Sequence, residues 1–323
     1  MIYPSFLKPG DLIGVPAPSA GVAEEDLAGF DLSLSHIKAA GWRVRETESV
    51  RSGGLASAPA PVRAAELNAL LRDPEVKMVW CAAGGDFLVD MLPLVDFAAA
   101  AKNPKWVQGY SDPTSLLYAL TTKWDIATIY GTNAGGMDVE ALPLFMEQNL
   151  DLLAGRVQVQ ESFDSFSHWS RPEGAYPIHW ETPRGDVHVK GRLIGGCMDC
   201  LSDILGTPYD GTADFVERYA ADGILWYFDV FALSAETVYR TLWKMKECGW
   251  FQNAAAVIFG RVCLESSPLG LSYREMIEKA LPDLPLVLEA DVGHVPPRMT
   301  MINGALATLD VADGKGTLKM ELV

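Results

Sequence analysis

A chain of 323 residues with 49% hydrophobic and 21% charged side chains can bury a sizeable core and exceeds the roughly 100–200 residues of one ordinary domain, so two domains are expected and disorder is excluded. Its 26 lysines and arginines against 42 acidic residues leave a formal net charge of −16, a surface that repels phosphate backbones and excludes a nucleic-acid polymer as the expected partner. No run approaches the ~20 apolar residues that span a bilayer, and five cysteines (Cys81, Cys197, Cys200, Cys248, Cys263) behind an opening without a basic and then apolar leader point to a reduced, cytoplasmic protein with no membrane partner.

In chain order, strand-length apolar runs alternate with helical patterns. The spacing predicts a strand Leu12 to Pro16 and a helix Glu24 to Ala40, in which Leu27, Phe30, Leu34 and Ile37 share a face. Next come a strand Trp42 to Glu46, a helix Pro61 to Leu71 led by proline, a strand Val76 to Ala82 and a helix near Phe87 to Ala101. A strand Trp106 to Tyr110, a helix from Pro113 and a strand Ala127 to Tyr130 close this half. Such β-α alternation predicts an α/β fold, a doubly wound, mostly parallel sheet of flavodoxin or Rossmann type over 1–150, with ligands at the carboxyl ends of its strands. Residues 151–189, rich in Ser, His, Trp and Pro, lack periodicity and read as linker and substrate loops. Residues 190–323 read as a second, C-terminal α/β domain, with strands at Gly223 to Phe228, Ala255 to Phe259 and Leu286 to Glu289. Its helix Thr237 to Cys248 carries Val238, Leu242 and Met245 on one face.

The chemistry is expected at strand-to-helix turns. In Gly109-Tyr110-Ser111-Asp112-Pro113-Thr114 an apolar strand runs into a helix whose start Pro113 favours. Ser111 there is either a helix cap or half of a G-x-S-x-G nucleophile elbow, with Pro113 in place of the second glycine. Gly84-Gly85-Asp86, after another strand, is either a tight turn or a set of backbone N–H groups aimed at an oxyanion. Among five histidines, His294 sits between glycine and prolines in Asp291-Val-Gly-His-Val-Pro-Pro-Arg298 and is the base candidate. Asp229, at the end of an apolar strand, is the acid that would orient it. His36 reads as a helix-surface residue; His168, His179 and His188 read as loop residues. Cys197-Met-Asp-Cys200 has redox spacing but no second cysteine pair for zinc, and reads as the start of a buried helix. Gly191-Arg-Leu-Ile-Gly-Gly196 fits no nucleotide-binding fingerprint.

Taken together, Ile13-Gly-Val-Pro-Ala-Pro-Ser19, Gly84-Gly85-Asp86 with Leu92-Pro93 and Asp96, Gly109 to Thr114, Gly191 to Gly196, Gly206-Thr-Pro-Tyr209, Gly223-Ile-Leu-Trp226 and Gly293-His294 resemble the LD-carboxypeptidase family of serine peptidases. That family includes murein tetrapeptide carboxypeptidases and microcin C self-immunity proteins. The resemblance implies Ser111 as nucleophile, Gly85 as oxyanion backbone with Asp86 beside it, and His294 as base. It implies no metal or cofactor, and a homodimer. Where the family has a glutamate, this chain has Asp229, one methylene shorter; the alternative reading that follows is a weakened relative that binds peptides or nucleotide conjugates without turnover. The Gly84-Gly85-Asp86 turn, with Ala83 where the murein branch has an arginine, and the Arg-Leu-Ile-Gly-Gly-Cys form resemble the microcin immunity branch more than the murein branch. In that branch Trp169 and Trp180 would either stack on a nucleobase-like group or simply pack in the core or a loop. The expected substrate is a murein L,D-peptide or an aminoacyl nucleotide, small and anionic. Against a net charge of −16, Arg298 is the nearest cation to His294 in sequence.

Overall fold

Four buried residues, Leu12–Val15, form β1, and the alternation that follows builds a sheet around it. The computed structural model describes residues 1–156, 159–168 and 171–323, and its contacts divide the chain into two units. The first is Met1–Val157 with Thr300–Ile302; the second is Gln158–Met299 with Asn303–Val323.

In the first unit, β1 is followed by α1 (Leu27–Ala39), β2 (Arg43–Glu46), α2 (Ala60–Arg72) and β3 (Val76–Trp80). Then come α3 (Phe97–Lys102), β4 (Trp106–Gly109), α4 (Thr114–Trp124), β5 (Thr128–Tyr130) and α5 (Leu144–Leu153). Phe30, Leu34 and Ile37 of α1 are buried, as their spacing requires. The strand order is β2-β1-β3-β4-β5, with a late strand of residues 301–303 beside β5, and each pairing among β1 to β5 is parallel. The chain winds to one side of β1 and then returns to the other for β3, so the switch point lies between those two strands. The helix expected near Phe87 to Ala101 is instead broken. Leu88–Leu94 forms 3-10 turns containing Pro93, and α3 starts only after Asp96, whose side chain accepts the Ala99 N–H at 2.9 Å. Pro93 lacks the donor a continuous helix needs, and Asp96 supplies a new start.

The second unit contains β6 (Val159–Glu161), β7 (Ser165–His168), β8 (Arg171–Pro177), β9 (Val187–Cys197), α6 (Met198–Ile204), α7 (Thr212–Arg218) and β10 (Ile224–Asp229). It continues with α8 (Ala235–Glu247), β11 (Ala254–Gly260), α9 (Tyr273–Ala280), β12 (Leu286–Ala290), β14 (Leu306–Ala312) and β15 (Lys315–Glu321); between β12 and β14 lies β13 (Met301–Asn303), the late strand of the first sheet, whose Met301 and Ile302 belong to the first unit. The second sheet runs β12-β11-β10-β9-β14-β15-β6. Strands β9 to β12 pair in parallel and β14, β15 and β6 add antiparallel. Its core stacks Trp226 on Trp250 at 5.3 Å and on Phe228 at 5.8 Å, and Val238, Leu242 and Met245 of α8 are buried.

The segment 151–189 is therefore not a run of loops. It holds the edge strand β6, the β7–β8 hairpin and the start of β9. The reason for the miss is an inverted pattern: in Val159-Gln160-Glu161 it is Gln160 that is buried, so no apolar alternation announces the strand. Among the described residues no helix is long and apolar enough to cross a membrane.

Candidate active site

Ser111 follows β4 with φ +66°, a left-handed backbone that costs a residue with a Cβ about 1–2 kcal/mol and holds the hydroxyl at the apex of a tight turn. Its carbonyl accepts Thr114 N–H at 2.9 Å and Thr114 Oγ1 at 2.6 Å. The N-cap of α4 is Pro113, without a side-chain cap, so of the two sequence readings of Ser111 the capping one is not realised. A Cβ on Gly109 would stand 2.7 Å from Pro113 Cβ, which is why this turn needs glycine before it and tolerates proline after it. Asn133 grips the intervening residue, accepting Tyr110 N–H at 3.0 Å and donating to its carbonyl at 3.4 Å.

The Gly-Gly turn after β3 lies against this serine. A Cβ on Gly84 would be 3.0 Å from Ser111 Cβ and 3.1 Å from its Oγ, so it is Gly84, next to the expected Gly85, that directly faces the hydroxyl. Gly85 has φ +137° and backs onto Ser19 and Ala20 N; Asp86 is exposed. Buried Asp112 ties the two turns together by accepting Ser19 Oγ and, at 2.9 Å, Leu88 N–H. Ser19 Oγ in turn accepts Phe87 N–H at 3.2 Å. Buried Arg63 donates to the carbonyls of Pro18 (2.6 Å) and Phe87 (2.9 Å); burial holds its guanidinium below its ordinary value, against the opposing charges of Asp90 and Asp112. Beside the turns opens a pocket of about 460 Å³ lined by Ala82, Ala83, Gly84, Tyr110 and Asn133, with Glu25, Asp26 and Asp138 among its acidic lining.

In the second unit, Asp229 ends β10, wholly buried, and accepts twice from one residue: His294 Nδ1 at 2.6 Å and His294 N at 3.2 Å. Its carboxylate fixes both the ring and the backbone of His294. Gly293 has φ +95°, and any Cβ there would collide with the Asp229 carboxylate, so the glycine before the histidine is a packing requirement. Phe231 packs on the imidazole at 4.6 Å between ring centroids. The rest of the loop hangs on Arg261, which sequence reasoning did not single out. Its guanidinium donates to the carbonyls of Glu289 (3.2 Å), Val295 (3.4 Å) and Pro297 (2.9 Å). It also forms a buried ion pair with Asp291 at 2.7 Å and sits 4.7 Å over the Phe166 ring. Burial holds the Asp291 carboxyl above its ordinary value against the pull of Arg261. Local spacing carries no signal for this ion pair, because its partners lie 30 residues apart on neighbouring strands' ends.

Other expected residues take different places. Trp180 is 2% exposed, donates to Asp291 Oδ2 at 3.1 Å and presses on Gly316. A ring this buried offers no face to a ligand, so of its two readings packing is the one realised and substrate stacking is not; Trp169 lies outside the described residues. Arg298 is half-buried, and its guanidinium donates to the carbonyls of Gly293 at 3.3 Å and His294 at 3.5 Å. His168 faces the Val262 carbonyl at 3.3 Å, His188 pairs with Asp310 at 3.0 Å, and His36 lies 2.8 Å from the Val139 carbonyl. Cys197, at the end of β9, pairs in register with Asp229. Its thiol is held well above its ordinary value by the adjacent Cys200, burial and the carboxylates of Asp229 and Asp199.

Residues 13–131 match the family model of the LD-carboxypeptidase N-terminal domain, and residues 190–309 that of the LD-carboxypeptidase C-terminal domain. A Streptomyces coelicolor protein that bears a carboxypeptidase name is 30% identical over 98% of this chain and 96% of its own length. A Bacillus subtilis protein with a murein peptide carboxypeptidase name is 25% identical over 96% and 92%. The solved microcin C7 self-immunity protein in complex with aspartyl sulfamoyl adenosine superposes with a TM-score of 0.84 at 22% identity, covering 100% of this chain and 99% of that one.

Proposed function

Since this chain belongs to the LD-carboxypeptidase family, we propose that its peptidase activity runs through Ser111 as nucleophile, His294 as general base and Asp229 as the carboxylate that orients the base. The family supports a peptide hydrolase of carboxypeptidase type; the assignment to these residues rests on their local geometry. The observation that carries it is the strained Ser111 turn facing Gly84. Backbone strain of this kind persists only where the surroundings enforce it, and here it raises a hydroxyl beside Gly84.

With Nδ1 committed to Asp229, the base role falls to Nε2. It takes the Ser111 Oγ proton as Oγ attacks the carbonyl of the scissile amide. Backbone N–H groups of the Gly84-Gly85 turn hold the oxyanion, and the imidazolium returns the proton to the leaving amine. Asp229 offsets the positive charge of that imidazolium. Water, deprotonated by the same nitrogen, then releases the acyl group. The shorter side chain of Asp229 is compensated by where the loop lies, since one carboxylate reaches both Nδ1 and the backbone N of His294. That pair of hydrogen bonds favours turnover over a binding-only protein.

The substrate we propose is a small peptide or peptide conjugate with an anionic end, a murein L,D-peptide or an aminoacyl nucleotide. The carboxylate or phosphate-like group would be met by Arg298, the cation nearest to His294 in the loop. Product masses after incubation with murein tripeptide-D-alanine, L,D-dipeptides and aminoacyl sulfamoyl adenylates test the substrate class. Digestion of casein would overturn it. In Arg298→Ala the KM for the anionic substrate should rise with little change in kcat; an unchanged KM removes Arg298 from recognition. Stoichiometric labelling of Ser111 by a serine-reactive phosphonate is expected, and an unlabelled Ser111 would leave only the binding reading.

A further inference from the structure

One side chain at this site has no part in the hydrolysis. Cys197 ends β9 in register with Asp229 at the end of β10, and paired residues of neighbouring parallel strands present their side chains to the same face. Its Sγ, a carboxylate oxygen of Asp229 and a ring nitrogen of His294 lie within 4.8 Å of one another. Sulfur, imidazole nitrogen and carboxylate oxygen are the donor types of zinc sites, and in a tetrahedral site with metal–ligand bonds of about 2.0–2.3 Å such donors stand roughly 3.5 Å apart. The donors farthest apart therefore need to close by about 1 Å, while Asp229 Oδ2 and His294 Nδ1, 2.6 Å apart through their hydrogen bond, would open by about as much; Cys197 and Asp229 already sit on the rigid ends of a sheet.

We propose that Cys197, Asp229 and His294 form a site for a thiophilic divalent cation, Zn²⁺ in the first place, whose binding shuts off hydrolysis. The cation site stands on geometry alone; the shut-off rests on the function proposed above. Soft sulfur among the donors selects Zn²⁺ over Mg²⁺ or Ca²⁺, which take oxygen. On binding, the S–H bond of Cys197 breaks, its proton leaves to solvent and the thiolate pair forms the metal–sulfur bond; no electron changes hands. The imidazole gives its lone pair to the ion. If that pair is on Nε2, the general base is occupied directly. If it is on Nδ1, the ring proton moves to Nε2, which then cannot accept from Ser111. Either way the base is lost. The Cys197 S–H donates to Asp199 Oδ2 at 3.7 Å, a bond that metal binding would break; Asp199 stays anchored by accepting Phe231 N–H and Ala232 N–H at 2.9 Å.

Titration of the full-length, reduced protein with Co²⁺, a spectroscopic substitute for Zn²⁺, should produce a near-ultraviolet sulfur-to-cobalt charge-transfer band that saturates at one equivalent. The band should survive Cys248→Ser, which removes an exposed thiol, and vanish in Cys197→Ser. No band at one equivalent, or a band that persists in Cys197→Ser, overturns the site. His294→Ala should weaken Co²⁺ binding by about tenfold or more; unchanged affinity overturns the three-donor arrangement. One equivalent of Zn²⁺ should suppress hydrolysis by the parent, a chelator should restore it, and Cys197→Ser should run at its own metal-free rate with Zn²⁺ present. A parent insensitive to Zn²⁺ overturns the shut-off. A protein with no hydrolysis of any substrate but with a Cys197-dependent band would end the serine-hydrolase reading and still support the cation site.

Discussion

The turn that carries Ser111 and the loop that carries His294 are held by different means. The serine turn is largely local: Gly109, Ser111, Pro113 and Thr114 shape it within six residues, and contacts to Asn133 and Gly84 from two other strand ends finish it. The histidine loop depends on distant groups. Asp229 lies 65 residues away, and Arg261 ties two of the loop's carbonyls, Val295 and Pro297, to that of Glu289 in β12, from the end of another strand. Each neighbourhood also has a buried arginine bracing carbonyls, yet the two are not alike. Arg261 has Asp291 at 2.7 Å, both buried, whereas the ion pair of Arg63 is with the exposed Asp90, at 3.9 Å. A turn built from sterics keeps its shape when one polar group is removed; a loop built on a buried charge pair does not.

The largest effects expected are those of Ser111→Ala and His294→Ala. Each should remove nearly all hydrolysis, on the order of 4–8 kcal/mol of transition-state stabilisation, because such groups act as a unit. Ser111→Ala should leave the melting temperature near that of the parent, since the turn is fixed by backbone. Residual activity in Ser111→Ala under single-turnover conditions would end its assignment as nucleophile.

Asp229 comes next. Asp229→Asn should lower turnover by roughly 10³–10⁴-fold, because an amide favours the wrong tautomer of His294 and does not offset its charge. Asp229→Glu should retain or raise activity if the extra methylene is taken up by the loop. Parental rates in Asp229→Asn would place the carboxylate elsewhere. Arg261→Met sharpens the contrast between the two regions: it leaves Asp291 buried without its partner and should cost about 3–5 kcal/mol of stability. The double variant Arg261→Met with Asp291→Leu should recover much of that in denaturant unfolding while hydrolysis stays low, because the loop carbonyls remain unbraced. Full recovery of hydrolysis would show that Arg261 only balances charge.

How far the sequence could be read follows the same division. Strands β1 to β5 and the Ser111 turn were legible because their signals are short-range: apolar runs of strand length, then glycine, serine and proline at fixed offsets. His294 stood out through its neighbours Gly293 and Pro296. Arg261 and the buried faces of Gln160 and Trp180 were not legible, since each is defined by partners from remote parts of the chain. Residues 151–189 looked irregular for that reason. The buried members of β6 and β7 are the polar Gln160 and His168, and a single-sequence pattern registers only apolar periodicity. Gly84, one residue from the expected Gly85, shows the limit at the site itself: a Gly-Gly pair announces a turn, but which glycine meets the serine is decided by packing.

The smallest effect concerns the other carboxylate of the region after β10. Glu236, the second residue of α8, accepts Ser267 Oγ and Leu269 N–H, both at 2.8 Å. Burial alone would raise its carboxyl, but the backbone N–H groups of Glu236 and Leu269 and the hydroxyls of Ser267 and Ser234 outweigh it and hold it at about 2, against an ordinary 4.5. A depressed carboxyl contributes stability that is fully present above the unfolded value and is lost as pH falls from about 4.5 through about 2. Glu236→Gln should therefore lower the melting temperature most at pH 6 and progressively less towards pH 2.5, with hydrolysis at neutral pH close to parental. A melting gap that stays constant down to pH 2.5 would show that the side chain acts through packing and not through its charge. A loss of hydrolysis matching that of Asp229→Asn would transfer the orienting role from the strand end to the helix start and undo the contrast between a locally built turn and a remotely braced loop.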